Sequence, residues 1–408
     1  MIRKTILENG IKIIAEEIKD AKTFALGFWF QTGSRYENEK NNGITHFVEH
    51  ILFKKTKKRN AKKIAEEIEG YGGYLNAFTT KENICFYGRG LKERLNKTFE
   101  ILCEMILYPN FDEQDVENEK GVILDEINDI LDSPEEYIFD KFEEEAFKPS
   151  PLYLPIVGKT ESLERITKND LSNYIEKNFV PSQALISYCG SEPIEKIIEL
   201  ASKKFNLSHK KKKTIKKAAK FQSQLDIVEY KRITQSHLII GAPTYGYADK
   251  RRMTANILSV ILGEGSSSRL FQRLREKNGI AYQINSFLSS FSDISIFGVY
   301  LSTNKKNINK AEDIIFNEME KLSEGKFSER EIEKAKKYMI GTFILSMENY
   351  SNRSAAYANQ EIYLNKVMTI DEAAREINSI TSEEIYKEAK NIFKRENFSI
   401  LCLTNDRK

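Results

Sequence analysis

Cysteine is scarce in this chain. Cys85, Cys103, Cys189 and Cys402 are the only four in 408 residues, and no two form a C-x-x-C pair. That spacing offers neither a cysteine zinc site nor a disulfide framework, and reduced thiols in a cytosol are the simpler expectation. An excess of one charge is also missing: 63 basic residues against 60 acidic ones leave a formal charge of +3. A nucleic-acid surface would show a concentrated basic excess, so no nucleic-acid partner is expected. No stretch approaches the ~18 uninterrupted apolar residues of a membrane span. The opening residues MIRKTILENGIKIIAEEIKD hold early acidic residues and no long apolar run. They resemble neither a secretory signal nor a transit peptide, and the chain is expected to be cytoplasmic, with no membrane partner. Histidine is as rare as cysteine, with four copies.

What is present is a soluble globular composition, 40% hydrophobic and 30% charged, long enough for two domains. TILENGIKII alternates apolar residues around Asn9-Gly10, the signal of a type I′ hairpin. FALGFWFQTG (24–33) reads as an aromatic strand, and 74–90 as two more strands. Helical patterns cover 60–71, 92–108 and roughly 112–132. The clearest break is SHKKKKTIKKAAK (208–220), whose run Lys210 to Lys213 fits a solvated linker. Beyond it the rhythm restarts, with strands expected at 225–231, 236–242, 280–289 and 293–302 and helices near 247–262, 306–323 and 328–347. FDEQDVENEKGVI (111–123) and FSEREIEKAKKYM (327–339) align at an offset of 216, matching Phe, Glu, Glu and Lys. A duplication follows, with domains at 1–209 and 225–408 joined by a linker at 210–224. Strands and helices in blocks predict an α+β protein of two homologous α/β-sandwich-type halves, each an antiparallel-rich sheet with helices packed on it.

Two of the four histidines stand four apart in GITHFVEHILFK (43–54). Thr45 can cap a helix there. Ile44, Phe47 or Val48, and Ile51 then form an apolar face, and His46 and His50 project together from another. Two imidazoles at that spacing can reach one zinc ion. Glu49 would flank the metal and take a proton from water. Two ordinary histidines on a half-buried helix would look similar, but H-x-x-E-H is the order of the inverted zinc motif. A third ligand is needed. The other histidines, His209 and His237, fall in the lysine linker and in an expected strand, so a carboxylate is the better candidate. ENEKGVILDEIND (117–129) offers Glu119 and Glu126, two helical turns apart and therefore on one face.

H-x-x-E-H followed 76 positions later by the second glutamate of E-x6-E resembles the insulinase–pitrilysin family of zinc metallopeptidases, the inverzincins, in its processing-peptidase-like branch. GSRYE (33–37), GGYLNAFTTKEN (72–83) and EKGVILDEI (119–127) agree, and the likeness spans essentially the whole chain. Lys55 departs from it, standing where the family usually has glycine, which should alter a turn and not the metal. The resemblance implies that Glu126 is the third zinc ligand beside His46 and His50, that Glu119 supports the site, and that Glu49 is the base. It also implies that Asn76 and Ala77 hold a peptide substrate as an added strand. LGEGSSSRLFQRLREKNGIAYQINSF (262–287) resembles the family's C-terminal active-site segment, where Arg275 and Tyr282 would bind substrate. Alone, Arg275 reads as a surface residue and Tyr282 as a core strand residue. At the 216 offset Glu119 meets Ala335 and Glu126 meets Thr342, so one zinc per chain is expected. The implied protein is a zinc endopeptidase acting on peptides in a dimeric clamshell, for which a homodimer suffices. The rivals are a non-catalytic scaffold of the same family and a zinc enzyme for a non-peptide hydrolysis.

Overall fold

The computed structural model describes residues 1–207 and 217–405. The lysine run 210–213 and His209 lie outside them. The chain separates into two compact units, each built around one sheet.

Unit one comprises Met1–Asn128, Leu154–Lys217 and Leu345–Val367. Its strands are β1 (Ile2–Ile6), β2 (Lys12–Glu17), β3 (Thr23–Phe30), β4 (Tyr74–Thr79), β5 (Ile84–Leu91) and β6 (Ala184–Gly190). They lie in the order β1-β2-β6-β3-β5-β4, so β4 is an edge strand. Only β2 and β6 run parallel. The helices of the first half are α1 (Ile44–Ile51), α2 (Ala61–Glu69), α3 (Leu95–Leu107), α4 (Glu113–Asp132), α5 (Pro134–Phe147), α6 (Thr160–Leu163), α7 (Lys168–Asn178) and α8 (Ile194–Lys204). Alternation along the strands sends Phe28, Phe86 and Ile186 into the main core with α1, α3 and α8.

Unit two comprises Asp129–Tyr153, Ala218–Ile344 and Met368–Lys408. Its strands β7 (Asp226–Tyr230), β8 (Ser236–Tyr245), β9 (Ala281–Ser290), β10 (Ile294–Thr303) and β11 (Ser399–Thr404) lie in the order β7-β11-β8-β10-β9. This repeats β2-β6-β3-β5-β4, down to the parallel pair at the same place. The helices of the second half are α9 (Arg251–Leu262), α10 (Ile308–Ser323), α11 (Glu329–Met347), α12 (Tyr350–Leu364), α13 (Ile370–Ser379) and α14 (Ser382–Ile392).

The units are not two continuous halves of the chain. In each half the long helix, α4 or α11, carries the chain out of its own unit. The next helix then packs on the other half's sheet: α5 on β8 and β11, α12 on β3 and β6. Sequence pattern alone could not show this exchange, because it depends on which apolar face each helix finds. α12 is fixed by a largely buried polar set centred on the half-buried pair Arg353 and Glu16. Arg353 Nη1 reaches both Glu16 oxygens at 3.2 and 3.3 Å, Tyr357 Oη donates to Glu16 Oε2 at 3.1 Å, and Ser354 Oγ donates to Ser187 Oγ at 2.8 Å.

The first hairpin departs from its expected turn. Gly10 N donates to Leu7 O at 2.8 Å, and only Gly10, at φ +96°, enters the left-handed region; Asn9 does not. A type I′ turn needs positive φ at both central residues. The connection is therefore longer, with Gly10 closing it before β2.

Candidate metal centre

α1 buries Ile44, Phe47, Val48 and Ile51 in the core. Thr45 is not its cap. The preceding residue is Gly43, at φ +91°, where an added Cβ would stand 2.8 Å from Gly158 Cα. The helix start is held instead by Glu37. Its Oε2 accepts from Gly43 N at 2.7 Å and Asn42 Nδ2 at 2.9 Å, and its Oε1 accepts from Thr45 N at 2.9 Å and Thr45 Oγ1 at 2.6 Å. Burial raises the Glu37 pKa, against these four hydrogen bonds that favour the carboxylate. Glu37→Ala should therefore leave several buried donors unpaired. It is expected to destabilise the protein by about 2–4 kcal/mol, read as a lower urea midpoint; an unchanged midpoint would remove Glu37 from this role.

On α4 the residues Val116, Glu119 and Ile123 form the buried stripe, and Glu126 continues it one turn on. This places Glu126 against α1. Its Oε2 lies 3.6 Å from His46 Nε2 and 3.6 Å from His50 Nε2. Ligand atoms of these three residues all fall within 4.8 Å of one another, the one such group among the described residues. His50 Nδ1 donates to Glu119 Oε1 at 2.8 Å, and Lys54 Nζ contacts the other Glu119 oxygen. Glu49 is fixed from β4, where Thr79 Oγ1 donates to its Oε2 at 2.5 Å.

The residues fit a metal ion. Glu126 Oε2 and His46 Nδ1 are buried without a hydrogen-bond partner, and a buried carboxylate oxygen without one is costly unless a cation compensates it. His50, anchored through Nδ1 to a carboxylate, turns Nε2 toward the same point, the usual outer-shell arrangement of a ligating imidazole. Burial, reinforced by the neighbouring His50, pulls the His46 pKa down to about 3, so His46 is neutral and its lone pair is free. Burial opposes charge on His50 too. The Glu119 hydrogen bond and the charges of Glu126, Glu119 and Glu49 outweigh it and raise the pKa. Glu119 moves the opposite way: burial works to raise its pKa, but His50 and Lys54 lower it overall. Burial raises the pKa of Glu49 despite the Thr79 hydrogen bond.

The remaining expected residues divide into two places. Asn76 and Ala77 lie on β4, Asn76 exposed and Ala77 buried. Ala77 N donates to Asn76 Oδ1 at 2.9 Å, so the side chain covers a backbone donor of the edge. The sheet face opposite α1 holds a cavity of about 160 Å³, lined by Gly27, Trp29, Phe78, Tyr87 and Ser354 among others. In unit two, Arg275 Nη1 donates to Tyr282 O at 3.3 Å, which brings that pair together. Tyr282 is 51% exposed, not in the core, and Arg275 lies within a π-helical segment, Phe271–Lys277. Lys55 bridges to Asn60 and reaches Asp112 at 3.4 Å, away from the histidines. Glu37, Lys54 and Thr79 are contributors that residue patterns did not single out.

Two imidazoles, a carboxylate converging on them and a second carboxylate held alongside make the arrangement of a hydrolytic metal centre. Residues 12–160 match the model of the insulinase family, peptidase family M16, and residues 165–339 match that of the peptidase M16 inactive domain. Among similar proteins, the uncharacterized zinc protease YmxG of Bacillus subtilis is 30% identical over 393 residues, covering 96% of each chain. An uncharacterized zinc protease of Rickettsia felis is 31% identical over 401 residues, covering 98% of this chain and 97% of its own. The crystal structure of a protease from Helicobacter pylori superposes with a TM-score of 0.91 over 99% of both chains at 22% identity, which shows a shared fold. This chain belongs to the insulinase family, peptidase family M16. The inactive-domain match falls on the half where Ala335 and Thr342 stand in place of Glu119 and Glu126.

Proposed function

We propose that this chain is a zinc endopeptidase of the processing-peptidase-like kind. It would hydrolyse peptides or unfolded polypeptide segments as a homodimer that encloses a chamber. The observation that carries this reading is the unpartnered Glu126 Oε2, 3.6 Å from the Nε2 atoms of His46 and His50, with Glu49 held beside them by Thr79. Four free, buried cysteines suit a reducing cytoplasm. No helix among the described residues is long and apolar enough to cross a membrane.

Zinc held by His46, His50 and Glu126, one ion per chain, would polarise the scissile carbonyl and acidify water. Glu49 takes the proton of the attacking water and returns it to the leaving amine. Thr79 occupies Glu49 Oε2 and leaves Oε1 for that exchange. Glu119 orients His50 through Nδ1. The edge strand β4 can accept an extended peptide as a further strand once the Asn76 side chain swings off Ala77 N, with Asn76 and Ala77 then against its backbone. Arg275 and Tyr282 of the second copy would complete the site, the tyrosine hydroxyl donating to the substrate oxygen as it gains charge.

Mass spectrometry of products from a mixture of unstructured peptides tests the activity. Cleavage should stop with a chelator and return with zinc; cleavage indifferent to the chelator would contradict the reading. The shared site is tested by complementation. Glu49→Gln and Tyr282→Phe should each be nearly inactive, and mixing them under subunit exchange should restore part of the activity. Exchange verified by mass with no recovery would place the tyrosine in its own chain's site or outside the mechanism.

A further inference from the structure

We infer that the end of β4 remote from Glu49 is a subsite for an acidic residue of the substrate, built by Arg89 with Tyr74 and Arg94 with Tyr71. The inference rests on the peptidase reading above and gives it a specificity. The Arg89 guanidinium lies 4.7 Å from the Tyr74 ring centroid, and that of Arg94 lies 3.3 Å from the Tyr71 centroid. Tyr71 and Tyr74 are 44% and 39% exposed, high values for large rings. Tyr74 and Arg89 are the last registered pair of the β4–β5 ladder, so their side chains share a sheet face. Asn76, two residues along β4, is on that same face, and its Nδ2 donates to Tyr74 Oη at 2.7 Å. Tyr74, Asn76 and Arg89 therefore form one strip at the end of the edge strand on which a peptide would lie, and Tyr71 and Arg94 stand just beyond it, three residues before β4 and immediately before α3.

Its charge is unspent. Of the other arginines of this unit, Arg3 pairs with Glu195, Arg35 with Glu82, Arg59 with Glu104 and Arg353 with Glu16, while Arg165 has no carboxylate partner among the described residues but no ring beneath it either. Arg89 and Arg94 have no carboxylate partner among the described residues; each guanidinium lies over a tyrosine ring instead. A guanidinium laid over a ring loses rotamer freedom before any ligand arrives and keeps its N–H groups for an acceptor. A carboxylate is the group that such a fork binds best. Tyr74 stands five residues from Thr79, the residue that holds Glu49. At about 3.3 Å per residue this is about 17 Å, so the acidic side chain belongs about four to six positions from the scissile bond.

The test uses the full-length zinc-loaded enzyme and three quenched peptides of one core sequence. One is neutral, one carries Asp-Glu-Asp four to six positions on the N-terminal side of the scissile bond, and one carries it on the C-terminal side. One of the two acidic peptides should be cleaved with kcat/KM about threefold to tenfold above the neutral one at low salt, mostly through KM, with the gain fading as salt rises. The ratio should fall to about one in Arg89→Gln/Arg94→Gln. In Arg89→Glu/Arg94→Glu a lysine-bearing peptide should become the better substrate. Cleavage of all three peptides at equal rates, or an acidic preference that survives the double glutamine variant, would overturn the subsite and leave the peptidase reading standing. No cleavage of any peptide by metal-loaded enzyme would overturn both.

Discussion

Glu49→Gln should lower the turnover of an unstructured peptide by about 10²–10⁴-fold while the protein stays folded and metal-loaded. Glutamine preserves the shape and can still accept from Thr79 through its amide oxygen, but it cannot take a proton from water. His46, His50 and Glu126 are untouched by the change, so zinc content is the control that separates a lost base from a lost site. Glu49 is well placed for this result because it is half-buried one position before His50 and tied at one oxygen only. Turnover within about threefold of wild type in the zinc-loaded variant would mean that another group is the base.

The second large effect is expected from Glu126→Gln. A neutral amide oxygen replaces the carboxylate that faces both Nε2 atoms, and the charge balancing the cation is lost. Zinc affinity should fall by more than the ~10–100-fold that removing a supporting group costs. Glu119→Gln supplies the comparison. It would weaken the anchor on His50 Nδ1 without removing a ligand, so its loss should stay within about 10–100-fold. Competition titration with a chromophoric chelator measures both. A larger loss in the Glu119 variant than in the Glu126 variant would exchange their roles.

Short-range rules carried the sequence reading far. Runs of aromatic and β-branched residues located β3, β4, β5 and β8 to β10, and the 216 offset between α4 and α11 pointed to the repeat that the two sheet orders display. The i, i+4 spacing put His46 and His50 side by side, and the seven-residue spacing put Glu119 and Glu126 on one stripe. What stayed hidden depends on partners distant in sequence. Glu37 caps α1 from outside the helix, so Thr45 looked like the cap although its hydroxyl donates to Glu37. Thr79 reaches Glu49 from another strand, and Lys54 reaches Glu119 across 65 positions. The Asn9-Gly10 dipeptide signalled a tight turn, but the strands end early enough for Gly10 alone to supply the left-handed residue. The exchange of α5 and α12 between units had no signal in periodicity, since either sheet offers an apolar face.

The central claim is that His46, His50 and Glu126 hold one zinc ion. An anomalous difference map collected above and below the zinc absorption edge, from crystals of the zinc-loaded protein, tests it most directly. It should show one peak per chain, within about 2.0–2.2 Å of His46 Nε2, His50 Nε2 and a Glu126 oxygen. A zinc peak bound by other residues, or none at these three in protein that cleaves peptides, would contradict it.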